Sequence, residues 1–424
     1  MRRGLSLTRV GLAGALLIVG MLVAATWTLI PAAGEGTRST RSTDQCLEKN
    51  APVPADSGAV LVVNGDQDFV NWSGSGTEDD PYVISSLTLT GDNYCIEIAY
   101  TTAYFVIYSC HFTAASIAAV LFRNVTHGMI LNCTVAHASR GVYLFNARQC
   151  TVYGNNFLRN SVGVVLRSSD LNRVAENRIH HNGIGINVDH SKNNTIVSNV
   201  VVGNGDTGVS LIESTDNRVY RNEIGWNGAS VRIKERNAVD TTGLNQWDDG
   251  VRVGNKWSDY EGPDTYAIPG NENATDRFPS RLTDFFAPIL SSPPDETVPS
   301  EPELQITWTA SDKYPYEHKI LVNGTIYESG DWYGETIVAL FGRLQPGIYN
   351  ITVEVTDCAR NRAVDTVTVT VLPRVSQSNL NHLVYASALS AVLVAIGLVI
   401  LKMQWNDSCQ WRTSSNGSPS ANAI

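Results

Sequence analysis

Apolar and polar positions recur with a fixed period between Val152 and Ile224. The beat Val152-x-x-Asn155-x-Phe157 returns as Val174-x-x-Asn177-x-Ile179, Ile196-x-x-Asn199-x-Val201 and Val219-x-x-Asn222-x-Ile224. The asparagines are 22, 22 and 23 residues apart. A second beat keeps step: Gly141-Val142-x-Leu144, Gly163-Val164-x-Leu166, Gly185-Ile186-x-Val188 and Gly208-Val209-x-Leu211. Self-similarity at such a period marks a solenoid. Each unit holds strands of about 3–5 residues, too short to bury a core alone, and stacking in parallel makes one continuous core. A leucine-rich repeat has a similar period, but its Leu-x-x-Leu-x-Leu signature is absent and no unit has a helical face. The pattern predicts an all-β, right-handed parallel β-helix. A corner Asn can then bond to its equivalent one coil up and one coil down.

The period runs backward through Ile84-x-x-Leu87-x-Leu89, Ile107-x-x-Cys110-x-Phe112 and Met129-x-x-Asn132-x-Thr134. Seven coils are expected from Ile84 to Ile224, with a partial one near Asn255-x-Trp257 and a structural ladder of Asn132, Asn155, Asn177, Asn199 and Asn222. Trp247, Trp257 and Tyr260 follow among Gly, Pro and Asp. They either cap the open end of the stack, which solenoids require, or form a sugar-stacking platform; the cap is the favoured reading.

Beyond Ala287, short alternating runs occur at Leu304–Thr309, His318–Val322, Thr325–Tyr327, Thr336–Phe341, Tyr349–Thr356 and Asp365–Val371. Asn323-Gly324 is a two-residue hairpin signal. These runs predict an immunoglobulin-like sandwich. Leu383 to Leu401 carries no charge and is long enough to span a bilayer. Arg2, Arg3 and Arg9 precede a second uncharged run, Val10 to Ile30, which reads as a signal peptide or an uncleaved signal anchor. The expected order is signal or anchor 1–33, linker 34–71, β-helix with cap 72–280, linker 281–302, sandwich 303–373, linker 374–382, membrane helix 383–401 and cytoplasmic tail 402–424. The bulk is then extracytoplasmic on a cell membrane.

Two motifs carry a family resemblance. Gly74-x-Gly76-Thr77-x-x-Asp80-Pro81-Tyr82-x-Ile84 opens the repeat. Asn245-Gln246-Trp247-Asp248, Gly254-Asn255-x-Trp257-Ser258-Asp259-Tyr260 and Asp276-Arg277-Phe278-Pro279 close it. Together they resemble the archaeal secreted or surface β-helix proteins of the NosD-like, carbohydrate-binding and sugar-hydrolase family, over about 72–280. The resemblance implies the β-helix fold, carbohydrate binding or sugar hydrolysis, and, from the family's name, periplasmic copper delivery. Ile306-Thr307-Trp308-Thr309-Ala310-Ser311-Asp312 and Val355-Thr356-Asp357-x-Ala359-x-Asn361 resemble prokaryotic surface-protein repeats of the immunoglobulin-like class.

Charge and residue chemistry narrow the function. The net charge of −10 argues against a nucleic-acid partner. Four Met and no His- or Cys-rich cluster leave few soft donors for Cu(I). Six cysteines on the expected outer side, Cys46, Cys95, Cys110, Cys133, Cys150 and Cys358, permit disulfides in fifteen pairings. Asn71, Asn124, Asn132, Asn193, Asn273, Asn323 and Asn350 are glycosylation acceptors, of which Asn132 is expected to be buried in the ladder and unmodified. Asp312 and Asp357 are weak Ca²⁺ candidates, although Asx turns are the commoner role, and no other cofactor is indicated.

No catalytic signature stands out. Counting by coils places Asn124, Asn146, Ser168, His190, Glu213 and Glu235 in one row, with Asp189 and Lys234 beside it. His190, Glu213 and Glu235 are the candidate catalytic groups. The adjoining strand exposes Tyr143, Val165, Asn187, Ser210 and Arg232, so Tyr143, Asn187, Ser210, Arg232, Asp189 and Lys234 are candidate ligand contacts. A solvated ridge is the bland alternative for this row, and His180-His181 is expected to be solvated at a turn. The chain thus reads as a membrane-anchored surface module that binds glycans or neighbouring surface proteins. The alternative is a tethered polysaccharide lyase, hydrolase or epimerase; a copper-maturation accessory ranks third.

Overall fold

The structure, a computed structural model, describes residues 59–228, 236–271, 273–299, 303–374 and 385–402. Three parallel sheets wind a solenoid of about eight turns. Sheet A contains Ala59–Asn64, Tyr94–Thr101, Ala118–Val125, Arg140–Phe145, Val162–Arg167, Ile184–Asp189, Thr207–Ile212 and Ala238–Asp240. Sheet B has seven strands, from Tyr82–Ser85 to Arg218–Tyr220. Sheet C has nine, from Thr88–Thr90 to Ser280–Arg281. Each strand pairs in register with its equivalent one coil away, as Val152↔Val174 and Phe157↔Ile179 show. The period-2 beat turns Ile96, Val120, Val142, Val164, Ile186 and Val209 inward, into one shared core.

Corners connect these strands by one recurring device. A residue in the left-handed region is followed by a residue that points inward and bonds along the stack. Glu176 (φ 55°) precedes Asn177, Arg159 (φ 54°) precedes Asn160, Leu171 (φ 61°) precedes Asn172 and Ser168 (φ 50°) precedes Ser169. In the first ladder Asn155, Asn177, Asn199, Asn222 and Asn255 pass one bond to the next. Asn177 accepts from Asn155 through its Oδ1 at 3.0 Å and donates from Nδ2 to Asn199 at 2.9 Å and to the Val152 carbonyl at 2.9 Å. Every polar atom of the amide is engaged, which is what burial demands. Two further Asn ladders run through Asn160, Asn182, Asn204 and Asn227, and through Asn172, Asn194, Asn217 and Asn245. A serine ladder links Ser169, Ser191 and Ser214.

Asn132 is not in the ladder. It is exposed and occupies the left-handed position (φ 50°), while Cys133 points inward and its N–H donates to Asn155 Oδ1. Asparagine suits both positions, because its short amide also stabilises the left-handed backbone. The burial expected to shield Asn132 from glycosylation is therefore absent. Cys110, Cys133 and Cys150 all sit at ladder corners, and with Cys95 and Cys358 they are buried free thiols. Cys46 and the expected signal or anchor at 1–33 lie outside the described residues.

The solenoid begins earlier than expected. Ala59–Asn64 pairs with Tyr94–Ala99, and a 3-10 turn at Asp66–Asn71 brings Phe69 over the core, where it stacks on Tyr82. At the far end Trp247 and Trp257 are fully buried. Their indole N–H groups donate to Asp240 at 3.0 Å and Asp276 at 2.9 Å, and Tyr266 stacks on Trp257.

The second domain is a β-sandwich. Leu304–Trp308 and Ile337–Phe341 form one sheet; Glu296–Val298, Arg362–Val371, Gly347–Asp357, Pro315–Val322 and Thr325–Asp331 form the other. Ile306, Trp308, Ala339, Val353 and Val367 lie between them. Asn323 and Gly324 make the hairpin turn with φ of 50° and 80°. Glu296–Val298 belongs to this domain rather than to the expected linker, because it pairs with Val369–Val371. One apolar helix, Tyr385–Lys402, is long enough to cross a membrane.

Candidate functional site

The sandwich packs on the solenoid and covers part of sheet C. Val202, Leu282, Tyr314 and Cys358 form a buried cluster, with Val200, Trp226 and Tyr316 at its edge. Glu223, on sheet C, accepts from the Tyr314 hydroxyl at 2.8 Å and pairs with Lys313 at 2.8 Å and Lys256 at 3.1 Å. Burial alone would raise the Glu223 carboxyl; Lys313, Tyr314 and Lys256 together hold it below its ordinary value.

His180 and His181 belong to this contact. The expectation that they are solvated is overturned: His180 is buried on sheet C, and His181 reaches the Tyr316 carbonyl at 2.9 Å. A corner residue that would face water on an isolated coil is here roofed by the second domain.

Sheet A keeps its outward face clear of these contacts. One outward row runs Glu97, Leu121, Tyr143, Val165, Asn187, Ser210 and Val239; the next runs Ala99, Arg123, Phe145, Arg167, Asp189 and Ile212. The corner beside them carries Asn124, Asn146, Ser168, His190 and Glu213, all left-handed with φ between 45° and 52°. A left-handed corner aims successive side chains outward in a column, one rung of about 4.8 Å apart.

His190 is the hub of this column. Its Nδ1 lies 2.7 Å from Asp189 Oδ1 and its Nε2 lies 2.6 Å from Glu213 Oε2. Arg167 Nε approaches the other Asp189 oxygen at 3.4 Å. Ser168, Asp170, Ser191, Lys192 and Thr215 complete a shallow groove of about 380 Å³ around His190 and Glu213. The groove thus offers carboxylates, an imidazole, an ammonium and hydroxyls. That inventory suits hydroxyl-rich ligands.

Beyond Glu213 the register changes. Ser210 pairs with Val239, 29 residues on, because the chain inserts extra residues after Gly228. Arg232, Lys234 and Glu235 lie outside the described residues, and Val239 takes the place assigned to Arg232. Asn187 is half-buried, and Ser210 and Val165 are buried between taller neighbours. Tyr143 is partly exposed, with the Arg140 guanidinium 5.0 Å from its ring centre.

Extending the Tyr143 row two coils toward the N-terminus reaches a group that the coil count did not pursue. Glu97 is only 2% exposed and is paired with Arg123. Glu97 Oε2 and Arg123 Nε have no hydrogen-bond partner. Arg123 lies 5.6 Å from the Tyr100 ring centre. Burial first, then the Glu97 charge, pushes the nearby Tyr94 phenol up. The signal was legible: Glu97 stands alone between inward Ile96 and Ile98, flanked by Tyr94 and Tyr100.

A second polar cluster lies where the sandwich meets the linker. Carboxylate oxygens of Asp284, Asp312 and Asp357 all lie within 4.8 Å of one another. Asn361 donates to Asp357 at 2.7 Å, and the Tyr314 N–H donates to Asp312 at 2.6 Å. Burial, then the charges of Asp312 and Asp284, pushes the Asp357 carboxyl up to about 6. Three converging oxygens are donors for a hard cation such as Ca²⁺. Asp284 was not among the sequence candidates, because nothing in its spacing ties it to Asp312 or Asp357.

With this geometry in view, the chain can be compared with known proteins. Residues 61–262 match the family model described as periplasmic copper-binding protein (NosD). No curated protein matches the chain. Among solved structures, the fibronectin(III)-like modules of Clostridium thermocellum CbhA are 20% identical and cover 21% of this chain and 99% of theirs, with a TM-score of 0.18. The enzymatically active domain of bacteriophage CBA120 tailspike protein 2 is 11% identical and covers 74% of this chain and 72% of its own, with a TM-score of 0.32. The Dettilon tailspike protein is 10% identical and covers 70% and 71%, with a TM-score of 0.26. Cu(I) takes thiolate and thioether donors. Among the described residues, the one group of three or more ionisable side chains placed to share an ion is the Asp284–Asp312–Asp357 cluster, all hard oxygens. Those oxygens do not suit Cu(I).

Proposed function

We propose that this protein is a membrane-anchored surface module that holds a glycan chain along the outward face of sheet A. One observation carries the reading. The sandwich occupies sheet C, while sheet A carries exposed Tyr100 and Arg167 and partly exposed Tyr143 and Phe145 along a strip that ends in the His190 groove. Six strands span these ends, so the five spacings between them make the strip about 24 Å long. Tyr100 and Tyr143 offer faces for sugar rings, and Asp189, Glu213 and Lys192 offer partners for hydroxyls. The apolar helix at Tyr385–Lys402 supplies the anchor.

The test uses the full chain in detergent on an array of neutral and uronic-acid oligosaccharides, with a reducing-end release assay alongside. Saturable binding without turnover is expected, weakened about tenfold or more by Tyr143→Ala and by His190→Ala with Glu213→Gln. Turnover would convert the reading into a tethered glycosidase or lyase. Binding unaffected by either variant would remove sheet A as the site.

A further inference from the structure

The two ends of the sandwich are unlike. One end meets the solenoid, through Tyr314, Tyr316 and Cys358 in the apolar cluster and through Tyr333 against His181. Pro315 pairs with Asp357 and Glu317 with Asp331, so these segments share that end. The strand Gly347–Asp357 is 11 residues long, which puts the other end about 33 Å away. That far end holds the Asn323-Gly324 turn, where the Asn323 N–H donates to the Asn350 carbonyl at 2.8 Å. It also holds Gly347 and Val371, which pair with each other. Leu340 joins them, since its carbonyl accepts from the Tyr327 hydroxyl at 2.8 Å, three residues past the turn.

Exposed apolar side chains gather at the far end. Seven large apolar side chains of residues 303–374 are exposed, and five of them stand there: Ile326, Tyr327, Leu340, Ile348 and Leu372. Ile348 is 68% exposed and Leu340 62%. Phe341, Ile351 and Val371 already close the core at this end, so folding does not require the exposed five. Single exposed apolar residues are ordinary, but a concentration of them at one end marks a contact surface. The chain leaves this same end for the apolar helix. Twelve residues lie between Leu372 and Tyr385, and they reach at most about 43 Å. Arg374 is the last Asp, Glu, Lys or Arg before Lys402. Arg343 and Arg374 are exposed at this end, as is Glu303.

We propose that this apolar end of the sandwich lies in the headgroup layer of the bilayer that the C-terminal helix crosses. Continuity with the anchor selects lipid as the occupant: the helix and its short connector bring this end, and not the solenoid end, to the membrane. Ile348, Leu372 and Leu340 then leave water for the boundary of the acyl chains, and Arg343 and Arg374 meet lipid phosphates. The sandwich becomes a fixed spacer that holds the solenoid about 33 Å above the headgroups. This rests on the anchoring helix of the proposed function and is independent of what sheet A binds. Asn350 is two residues from Ile348 on the same outward face, so the seated end has no room for a glycan there.

Lipid quenching tests the contact on the full-length protein in nanodiscs of phosphatidylcholine and phosphatidylglycerol. Cys46 and Cys409 are replaced by Ser; the other native thiols are buried. Bimane is attached at Ile348→Cys, Leu372→Cys, Leu393→Cys in the helix, or Gln149→Cys, an exposed site at the corner between sheets A and B. The nanodiscs are made with and without lipids that carry a nitroxide near the head of the acyl chain. The Ile348 and Leu372 probes should lose about half of their fluorescence or more, as an interfacial depth requires, while the Gln149 probe keeps its own. Quenching at Leu393 with none above the Gln149 level at Ile348 and Leu372 overturns the inference and leaves the anchor standing. No quenching at Leu393 overturns both. Unquenched Ile348 probes that cross-link between copies assign the end to a second molecule of this chain and also overturn it. So does a glycan found on Asn350 by peptide mapping.

Discussion

His190 and the His180–His181 pair come from the same coil, yet they sit on opposite kinds of surface. His190 projects from a sheet A corner between two carboxylates, Asp189 and Glu213, and is more than half exposed. His180 and His181 lie under the sandwich, bonded to each other, to Asn156 and to a backbone carbonyl. The first environment is open and carries two carboxylates around the ring. The second is buried beside Arg178 and Arg159, with Asp331 as a counter-charge. A solenoid repeats its backbone with each coil, so what differentiates its faces is what covers them.

The largest difference should appear when a ring is removed from each face. Tyr314 is 4% exposed, with Trp226 5.2 Å from its ring centre and its hydroxyl on Glu223. Tyr314→Ala should destabilise by about 3–5 kcal/mol, the range for emptying a buried aromatic site. Tyr143→Ala on the open face should cost less than about 1 kcal/mol. Similar losses in calorimetric melts would break the distinction between the faces.

A ladder substitution affects both faces equally. Asn177→Leu takes the Asn177 Oδ1 from the Asn155 backbone N–H and the Nδ2 donor from the Val152 carbonyl, and should cost about 1–3 kcal/mol. An unchanged melting temperature would show that the ladder bonds are replaceable.

Acid should act on the covered face with two opposing signs. The depressed histidines contribute stability that is full above about pH 6.5 and is lost as pH falls below it. Asp357, raised to about 6, binds its proton more readily folded than unfolded. Its contribution is full below about pH 4 and is lost as pH rises through 6. Melts across pH 4 to 7.5 should therefore separate: Asp357→Asn should gain stability near neutral pH, and His180→Gln with His181→Gln should lose the acid sensitivity. Convergence of the two variants on one profile would contradict this assignment.

The smallest expected effect is on the open face. His190→Gln with Glu213→Gln should shift stability by no more than about 0.5 kcal/mol, since both groups are largely exposed. A clear rise in melting temperature without loss of glycan binding would mark the column as a solvated ridge only.

Most of the solenoid was legible because each coil touches its neighbours and little else. Inward residues at fixed spacing, such as Val152, Val174, Ile196 and Val219, are enough to define strands and register. Two neighbouring roles suit one residue type at Asn132, and an insertion after Gly228 puts Val239 beside Ser210, where the period alone points to Arg232. Of the candidate site, the His190–Glu213 adjacency followed from coil counting. The Glu97–Arg123 pair occupies the same rows nearer the N-terminus, where no Gly beat marks the coil.

The sequence by itself determined the period, the inward beat, the corner ladders, the sandwich hairpin and the apolar C-terminal helix. All of these rest on neighbours within a few residues or one coil. Only the tertiary structure decided which sheet the sandwich covers, that His180 and His181 are dry, and that Asp284 joins Asp312 and Asp357. The contact from His181 to Tyr316 spans 135 residues and that from Arg159 to Tyr333 spans 174. Such pairings depend on shape and charge complementarity between two separately folded surfaces, which leaves no periodic trace along the chain.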